Sequence, residues 1–303
     1  MDLLSMVPPH FRKMGCFKKE RSDRARYALS EDLVCGDITS DSVLRDDSVV
    51  EGKIICCERC VVAGLQEAVA VIGKNNCTVG VIEGGVLKRG TGVIHIRMEV
   101  RDLLKRIRTA LNYLSYLSGL ATNARRLEKR FGVKRVAALR KTHPGLGLSE
   151  KHALQIGGVM AHRVNLGDSI LIKKEHIAIV GKETGFSRSK VIEECITRAR
   201  TYIVRRGVGA RGVFIGIEVE SLVGARAAAG TSVDVIMLDN VGRKRVKSLV
   251  KEIRSINQNV VIEASGGLRE AGVGGFLDCG VDVVSGSCVF DAEPIDFTFV
   301  LGV

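Results

Sequence analysis

The sequence predicts an α/β protein that combines a β-rich first domain with a reduced or incomplete α/β barrel. Up to about residue 100, short β-rich runs are separated by glycine and polar turns. From about residue 133, near-continuous apolar strands alternate with helices, a pattern typical of a parallel sheet covered on both faces. The second region ends near residue 290, which leaves too little chain for eight complete strand–helix units.

The first domain is expected to begin after a peripheral lead-in over residues 1–26. Strands are predicted near 49–55, 77–82 and 92–97, with a short helix over 66–73 between the first two. The mixture of strands and helix indicates an α+β arrangement.

A long helix is predicted over residues 101–131. Leucines recur there at three- and four-residue steps, from Leu103 through Leu111 to Leu120, and form one apolar stripe. Arg108 lies beside that stripe.

Four apolar strands in the second region end in residues suited to chemistry. The last residues of these predicted strands are Glu218, Asp239, Ser265 and Gly286, at spacings of 21, 26 and 21 residues. Each spacing is that of one strand–helix unit. Because the carboxyl ends of parallel strands meet at one edge of the sheet, a site is expected there.

The charge of the chain predicts an anionic partner. The formal net charge is +12, which suits nucleic acid, a membrane surface or a small phosphorylated or carboxylated substrate. Four Tyr and no Trp leave few rings for base stacking, so nucleic acid is disfavoured. The sequence shows no run of transmembrane length and no secretory signal, so no membrane partner is expected.

The cysteines favour a cytoplasmic location. Nine are scattered without regular spacing in a chain too long to need disulfides, which is typical of a reducing compartment. Cys57 and Cys60 have the spacing of metal ligands, but they have no second pair and lie in an apolar run, so a metal site is disfavoured.

Cationic residues cluster after three further predicted strands or loops. They are Arg140 and Lys141, His162 and Arg163, and Lys173. Arginine presents two parallel N–H groups to a planar carboxylate and lysine acts as a point charge, so such a cluster suits a small acid. Glu218 and Asp239 add carboxylates fit for a cationic transition state or for Mg²⁺ shared with substrate phosphates.

Two turns of small residues follow the last apolar strands. Their residues are Ser265, Gly266 and Gly267 in one turn, and Ser285, Gly286 and Ser287 in the other. Small residues there let backbone N–H groups approach a phosphate. The run 207–212 has the letters of a dinucleotide fingerprint, but it precedes a strand, so a simple turn is expected.

Short motifs run in order along nearly the whole chain from about residue 28. They are Glu31-Asp32-Leu33, Gly36-Asp37-Ile38-Thr39-Ser40, Val62-Ala63-Gly64-Leu65, Arg108-Thr109-Ala110-Leu111-Asn112, Ser118-Gly119-Leu120-Ala121-Thr122, Arg140-Lys141-Thr142, His162-Arg163, Leu171-Ile172-Lys173, His176-Ile177, Glu218-Val219-Glu220, Leu238-Asp239-Asn240 and Ala264-Ser265-Gly266-Gly267. In this order they resemble the quinolinate phosphoribosyltransferase family, also called nicotinate-nucleotide pyrophosphorylases (carboxylating).

The resemblance implies the two-domain fold of the type II phosphoribosyltransferases. An N-terminal α/β sandwich domain would span residues 27–115 and be completed by residues 290–303. An incomplete α/β barrel of about seven strands would span residues 116–289. It also implies a homodimer, or a higher oligomer, in which Arg108 enters the partner subunit's site.

The resemblance assigns roles to the candidate residues. Arg140, His162, Arg163 and Lys173, with Arg108, would bind quinolinate. Lys141, Glu218 and Asp239 would be catalytic, and the last two would also hold Mg²⁺, largely through substrate and water. The two small-residue turns would bind the phosphoribosyl phosphate.

The implied reaction transfers phosphoribosyl from phosphoribosyl pyrophosphate to quinolinate. Its products are nicotinate mononucleotide, pyrophosphate and CO₂, a step of NAD biosynthesis. Departures from the family pattern surround the acid pocket and leave the phosphate turns largely intact. They lie at Ile107, Leu139, His143, Gly147, Val159, Lys174, Glu175 and Gly216.

Other functions stay open at this point. One is a paralogue of the same superfamily acting on another acid, either a nicotinate phosphoribosyltransferase or a ModD-like protein. Another is a non-catalytic protein that binds anions or nucleic acid, although carboxylates such as Glu218 and Asp239 would repel phosphate in a nucleic-acid groove.

Overall fold

The computed structural model describes residues 17–207, 212–267 and 269–302, and it forms two compact units. Among the described residues, the sandwich unit contains residues 17–127, 142–159 and 289–302. The barrel unit contains Glu128–Lys141 and Met160–Cys288. The predicted boundary between residues 115 and 116 falls inside a helix that stays with the sandwich unit to Leu127. Four residues of the fingerprint-like run 207–212 lie outside the described residues.

The sandwich unit is built on an antiparallel sheet. Its strands are β1 (Val49–Cys56), β3 (Cys77–Val79), β5 (Gly92–Glu99) and β13 (Phe297–Leu301), in the order β13-β1-β5-β3, and β2 (Cys60–Val61) pairs separately with β4 (Val86–Leu87). Burial alternates along β5, so one face forms the core. Pairing of β13 with β1 in the register Ile54↔Phe299 joins the end of the chain to this sheet.

Helices cover this sheet and extend it. They are α1 (Lys18–Asp32), α2 (Ile38–Val43), α3 (Leu65–Ile72), α4 (Val100–Phe131) and α5 (Gly147–Gly157). The predicted long helix is α4, confirmed to within one residue. α5 packs against it, since a Cβ on Gly157 would lie 2.3 Å from that of Ala124. This close approach explains why residues 142–159 belong to the sandwich unit.

The first helix corrects the prediction for residues 18–26. These residues form the first half of α1 instead of a peripheral lead-in, and α1 packs on α3. Its buried face carries Arg21, Ala25 and Leu29, one of which is charged and one of which is small. That face is too weakly apolar to give the helical periodicity that sequence analysis relies on.

The barrel unit confirms the predicted incomplete barrel. Its seven parallel strands have the order β7-β6-β12-β11-β10-β9-β8. They are β6 (Val136–Ala138), β7 (Met160–Ala161), β8 (Ile170–Ile172), β9 (Ile215–Val219), β10 (Val235–Asp239), β11 (Val261–Ser265) and β12 (Val283–Ser285). The two edge strands, β7 and β8, are consecutive in the chain, so the barrel is open between them.

Helices separate most of these strands, as the spacing predicted. They are α6 (Lys174–Thr184), α7 (Arg188–Arg205), α8 (Leu222–Ala229), α9 (Arg243–Ile256) and α10 (Glu270–Leu277). The apolar face of α9, with Val246, Leu249 and Ile253, is buried. Among the described residues, no helix combines the length and apolar character needed to cross a membrane.

The amino edge of the barrel sheet is tied together by a repeated arrangement. Asp282 accepts a hydrogen bond from the backbone N–H of Ile262 (2.7 Å) and pairs with Arg254 (2.5 Å). The same arrangement recurs between β9 and β10. There Asp234 accepts a hydrogen bond from the backbone N–H of Ile215 (2.7 Å) and pairs with Arg200 (2.8 Å). Structural ties at the amino edge leave the carboxyl edge for chemistry.

Candidate active site

The predicted site residues of the barrel unit all lie at the carboxyl edge of its sheet. Arg140 and Lys141 follow β6, His162 and Arg163 follow β7, and Lys173 follows β8. Glu218 and Asp239 lie on β9 and β10, and the two small-residue turns follow β11 and β12. Since every pairing in this sheet is parallel, these strand ends face the same way. The fold therefore brings the cations, carboxylates and small-residue turns to one edge.

Strand register sorts the inward-facing residues into rows. Met237 on β10 is level with Glu218 on β9 and with Glu263 on β11. Two residues further along, Asp239 is level with Ser265, and Ser265 with Ser285. Side chains level with each other on parallel strands point to the same face. A row with two glutamates thus lies directly below a row with an aspartate and two serines.

Lys173 and Glu218 form an ion pair between neighbouring strands. The Lys173 Nζ lies 2.9 Å from Glu218 Oε1, with the lysine side chain 47% exposed and the glutamate side chain 10%. His176 supports this geometry from the first turn of α6, where its Nδ1 accepts a hydrogen bond from the Lys173 backbone N–H (2.9 Å). The pair holds a half-exposed ammonium group above a nearly buried carboxylate.

Arg163 is buried among charges of both signs. Its Nη1 donates to the backbone carbonyl of Ser169 (3.3 Å), which fixes the guanidinium against the start of β8. Burial and then the nearby Arg140 lower the pKa of Arg163, while Glu218, Asp168 and Glu263 act in the opposite sense. Arginine stays charged at any ordinary pH. The barrel therefore holds a desolvated cation that an incoming anion would stabilise.

Glu263 is a site residue that sequence reasoning missed. It lies in the middle of β11 with its side chain 3% exposed, and its Oε2 is 3.1 Å from the Nε2 of His162. The His162 ring also meets the edge of Phe214, with ring centres 5.6 Å apart. The available signal was a glutamate inside the otherwise apolar run 260–264. The prediction assigns this glutamate to the strand that ends at Ser265 and gives it no role.

Asp239 leads into a strained turn that is interlocked with the first small-residue turn. Asn240 has a left-handed backbone (φ 55°), and its backbone N–H donates to the carbonyl of Ser265 (2.9 Å). A Cβ on Gly266 would lie 2.3 Å from the Asn240 Oδ1, so only glycine fits there. Gly267 also has a left-handed backbone (φ 59°), but a Cβ there would meet open space.

The serines beside these glycines are well placed for an anion. Ser265 and Ser285 are buried at the ends of adjacent strands, while Gly267 and Ser287 are exposed. Within the described residues, the hydroxyl of Ser285 is completely buried and has no hydrogen-bond partner. A buried hydroxyl without a partner is costly, and a bound phosphate oxygen would satisfy it.

Arg108 lies in the sandwich unit, on an exposed part of α4. It lines a concave pocket with a volume of about 780 Å³, together with Arg24, Glu31, Tyr113 and Gly145. The other predicted site residues belong to the barrel unit.

A network of hydrogen bonds follows the basic segment of residues 140–141 in the chain. The buried Glu150 accepts from the backbone N–H of His143 (3.1 Å) and from the hydroxyl of Tyr116 (2.6 Å). The Tyr116 hydroxyl and the His143 Nδ1 are 2.8 Å apart. Burial and the contact with Glu150 raise the pKa of Tyr116, so the phenol stays protonated. His143, one of the departures from the family pattern, is therefore fixed by its neighbours.

The carboxylates at the barrel edge fit Mg²⁺ only as part of a shared coordination sphere. Glu218 and Asp239 supply the oxygen ligands that Mg²⁺ prefers. No group of three or more His, Cys, Asp or Glu side chains in the described residues could hold a metal by itself. Magnesium commonly completes its shell with water and substrate phosphates, and the two carboxylates are compatible with that mode.

Comparison with known proteins identifies the family. The family model of the quinolinate phosphoribosyl transferase N-terminal domain matches residues 37–118, and that of the C-terminal domain matches residues 120–300. A protein named "probable nicotinate-nucleotide pyrophosphorylase [carboxylating]" from Methanothermobacter thermautotrophicus is 32% identical, over 91% of this chain and 97% of its own.

Solved structures agree with the sequence relatives. The nicotinate-nucleotide pyrophosphorylase of Francisella tularensis superposes with a TM-score of 0.78 at 26% identity, covering 94% of this chain and 97% of that one. NadC from Streptococcus pyogenes superposes with a TM-score of 0.75 at 31% identity, covering 92% and 95%. The fold is that of a phosphoribosyltransferase. The chain belongs to the quinolinate phosphoribosyl transferase family, as the motif series predicted.

Proposed function

We propose that this protein transfers phosphoribosyl from phosphoribosyl pyrophosphate to quinolinate and releases CO₂, forming nicotinate mononucleotide and pyrophosphate. The observation that carries the proposal is the division of one barrel edge into a cationic part and a small-residue part, in a chain of this family. Arg140, His162, Arg163 and Lys173 follow β6, β7 and β8. The turns after β11 and β12 offer buried hydroxyls and open backbone.

The acid is held by the cationic part of the edge. Arg163 and His162 are buried, so their contacts with carboxylates gain from low local polarity. Lys173 and Arg140 are exposed and can move onto the substrate. Together these residues orient the pyridine nitrogen toward the ribose. Holding the reactants in this orientation contributes strongly to the rate of such a transfer.

The phosphoribosyl group is held by the small-residue turns. Ser265, Ser285 and the backbone of Gly266 and Gly267 bind the 5′-phosphate, and Glu218 and Asp239 lie under the ribose. The pyridine nitrogen forms a bond to the anomeric carbon as the bond from that carbon to pyrophosphate oxygen breaks. Positive charge develops on the ribose in this step, and the two carboxylates stabilise it.

Glu218 and Asp239 would hold Mg²⁺ together with water and substrate phosphate, and the bound ion would supply positive charge to the leaving pyrophosphate. Lys141 adjoins Arg140 at the end of β6 and bridges the acid and the pyrophosphate. The carboxylate next to the ring nitrogen then leaves as CO₂, and the electron pair left on the ring carbon takes up a proton. We place this reaction in the cytoplasm.

The assembly that performs the reaction is a homodimer in this proposal. Arg108 is exposed on a concave surface of the sandwich unit, where an arginine has room to meet a ligand that another copy of the chain carries. The site is then complete only when the partner's Arg108 reaches the acid.

Mixing two inactive variants tests the shared site. R108A and K141A are each expected to lose at least 99% of activity, because each removes a charge from every site. After subunit exchange, mixed dimers contain one intact site, and about a quarter of wild-type activity should return in an equal mixture. No recovery after exchange verified by mass would contradict the contribution across subunits.

The reaction itself is tested with Mg²⁺, phosphoribosyl pyrophosphate and either quinolinate or nicotinate, while pyrophosphate and CO₂ are measured. Equal amounts of both products with quinolinate support the proposal. Pyrophosphate without CO₂, formed only with nicotinate, would assign the chain to the nicotinate enzymes. Salt-sensitive binding of RNA or DNA without turnover would favour the non-catalytic alternative.

A further inference from the structure

The row of inward-facing residues on β9, β10 and β11 contains two glutamates in equivalent positions. Glu218 and Glu263 are both level with Met237, one strand to either side. Glu218 pairs with Lys173 at 2.9 Å, and Glu263 contacts His162 at 3.1 Å. Each glutamate therefore meets one residue of the cationic part of the edge. Only Glu218 has a role in the proposed reaction.

Burial makes Glu263 hard to explain as a structural residue. Its side chain is 3% exposed and that of His162 is 6% exposed. In the described residues, neither Glu263 Oε1 nor His162 Nε2 has a hydrogen-bond partner, so the 3.1 Å approach of Glu263 Oε2 to Nε2 is a close contact without hydrogen-bond geometry. A buried carboxylate costs several kcal/mol and is retained when nearby cations require it. The groups near it are His162 and Arg163, since Glu263 lies 3.1 Å from the His162 ring and is among the charges that oppose the lowering of the Arg163 pKa.

Two groups contact the His162 ring, and a backbone hydrogen bond fixes the residue that carries it. Its backbone N–H donates to the carbonyl of Ala138 (2.9 Å), which extends the pairing of β7 with β6. Phe214 meets the ring edge-on, and Glu263 meets it at Nε2. Because Glu263 lies at Nε2, we take Nδ1 as the ring nitrogen that contacts a ligand. A ring fixed in this way needs no reorganisation when an acid binds.

We propose that Glu263 is a positioning residue of the acid site, which holds the His162 ring in place through its contact at Nε2. The inference rests on the proposed function, because it takes a carboxylate-bearing ring as the ligand. It makes the barrel edge a site with two matched pairs, Lys173 with Glu218 and His162 with Glu263. The first pair faces the ribose as well, whereas the second serves the acid alone.

The variant that isolates the charge of Glu263 is E263Q, because glutamine keeps the size of the side chain. E183Q is the matched control: Glu183 is an exposed glutamate of the same unit that pairs with Arg198. For E263Q the KM for quinolinate should rise about tenfold, with the KM for phosphoribosyl pyrophosphate within about twofold of wild type. E183Q should leave both constants unchanged.

A double-mutant cycle separates positioning from a general structural effect. If Glu263 acts through His162, then H162Q and H162Q/E263Q should have the same KM for quinolinate to within about twofold. E263D keeps the carboxylate and should recover part of the affinity for the acid. Equal losses for both substrates, or additive effects in the cycle, would show a merely structural role and overturn the proposal.

Calorimetric titration with quinolinate, without the second substrate, keeps the two proposals distinguishable. An active wild type with equal quinolinate affinity in E263Q and E183Q overturns the positioning role alone. A wild type without turnover overturns the proposed reaction. In that case, weaker quinolinate binding by E263Q than by E183Q supports the positioning role. Equal quinolinate affinity of the two variants, including no binding by either, overturns it.

Discussion

The sandwich unit and the barrel unit both bury acidic side chains beside cations, but they enclose those charges to different degrees. In the sandwich unit, Arg21 and Glu67 pair at 3.2 Å with side chains 2% and 0% exposed. Protein groups add further contacts, since Gln66 accepts from Arg21 (2.7 Å) and Ser149 donates to Glu67 (2.7 Å), while Arg21 Nε and Glu67 Oε2 have no hydrogen-bond partner in the described residues. In the barrel unit, Lys173 pairs with the nearly buried Glu218, and the lysine side chain is half exposed.

The difference distinguishes a closed charge cluster from an open one. A closed cluster whose partners all come from the protein contributes to the stability of one arrangement and binds nothing. An open cluster holds a cation, here the half-exposed Lys173, that a ligand can reach at the edge of a sheet. Substitutions in the two clusters should therefore affect different observables: ligand affinity in the barrel unit and the free energy of unfolding in the sandwich unit.

The largest effect is expected for R163A in the barrel unit. Loss of a buried guanidinium that contacts a carboxylate should raise the KM for quinolinate at least about a hundredfold, because such pairs contribute roughly 2–5 kcal/mol. The KM for phosphoribosyl pyrophosphate should change much less. Steady-state kinetics with each substrate varied in turn measures both. R205A, at an exposed arginine of α7, is the control, and an unchanged affinity of R163A for the acid would refute the assigned role.

The next effect is expected for R21M in the sandwich unit. Removing the guanidinium leaves the fully buried Glu67 without its cation and should lower the free energy of unfolding by about 3 kcal/mol. The matched variant R26M breaks an exposed pair with Asp23 and should cost less than about 0.5 kcal/mol. Urea denaturation measures both. If R21M were as stable as R26M, the cluster would not be a stabilising one.

A smaller effect is expected where the barrel edge is built from backbone. G266A places a Cβ against Asn240 in a left-handed conformation and should destabilise the protein by about 2 kcal/mol. G267A has the same backbone strain without a clash, so a loss of about 1 kcal/mol is expected. Thermal unfolding of the two variants tests the order. Equal losses would mean that contact with Asn240 is not tight.

The smallest effect is expected in the pH dependence of stability. Burial and then the nearby Glu67 raise the pKa of Glu83 to about 7. The folded state therefore holds this proton more tightly than the unfolded state, and the resulting stability is present below about pH 4.5 and lost as pH rises through about 7. E83Q stays neutral and can still accept from the Gly64 N–H that Glu83 binds at 2.7 Å.

Relative to wild type, E83Q should gain about 1 kcal/mol of stability between pH 6 and pH 7. Denaturation of both proteins at each pH measures the difference. The comparison also cancels the opposite contribution of His152, whose pKa burial lowers to about 4. A constant difference between the two proteins would show that Glu83 is ionised throughout this range.

Sequence patterns predicted the barrel and its site because the relevant signals are local. Apolar runs gave the strands, and the residues after them gave the cationic cluster and the small-residue turns. The long helix α4 followed from its leucine spacing. Strand order and register are set by pairings between distant segments, so the row that joins Glu218 to Glu263 was not visible in the sequence.

Other features were missed because they depend on tertiary contacts. The helix α1 was not predicted, since its buried face includes Arg21, whose burial depends on Glu67 far along the chain. Residues 142–159 were placed in the barrel domain, whereas α5 packs on α4 through Gly157. A glycine that permits close approach of two helices has the same appearance in a sequence as a glycine in a loop.

The contact between Asn240 and Gly266 has a consequence for how such a site can diverge. The turn after Asp239 and the phosphate turn after β11 interlock through atoms that admit no added side chain. Substitution in either turn is penalised whatever acid the protein uses. The residues after β6, β7 and β8 project long side chains and carry no such mutual constraint. During evolution, the acid can therefore be exchanged by replacing side chains on one half of the barrel edge while the other half is inherited unchanged.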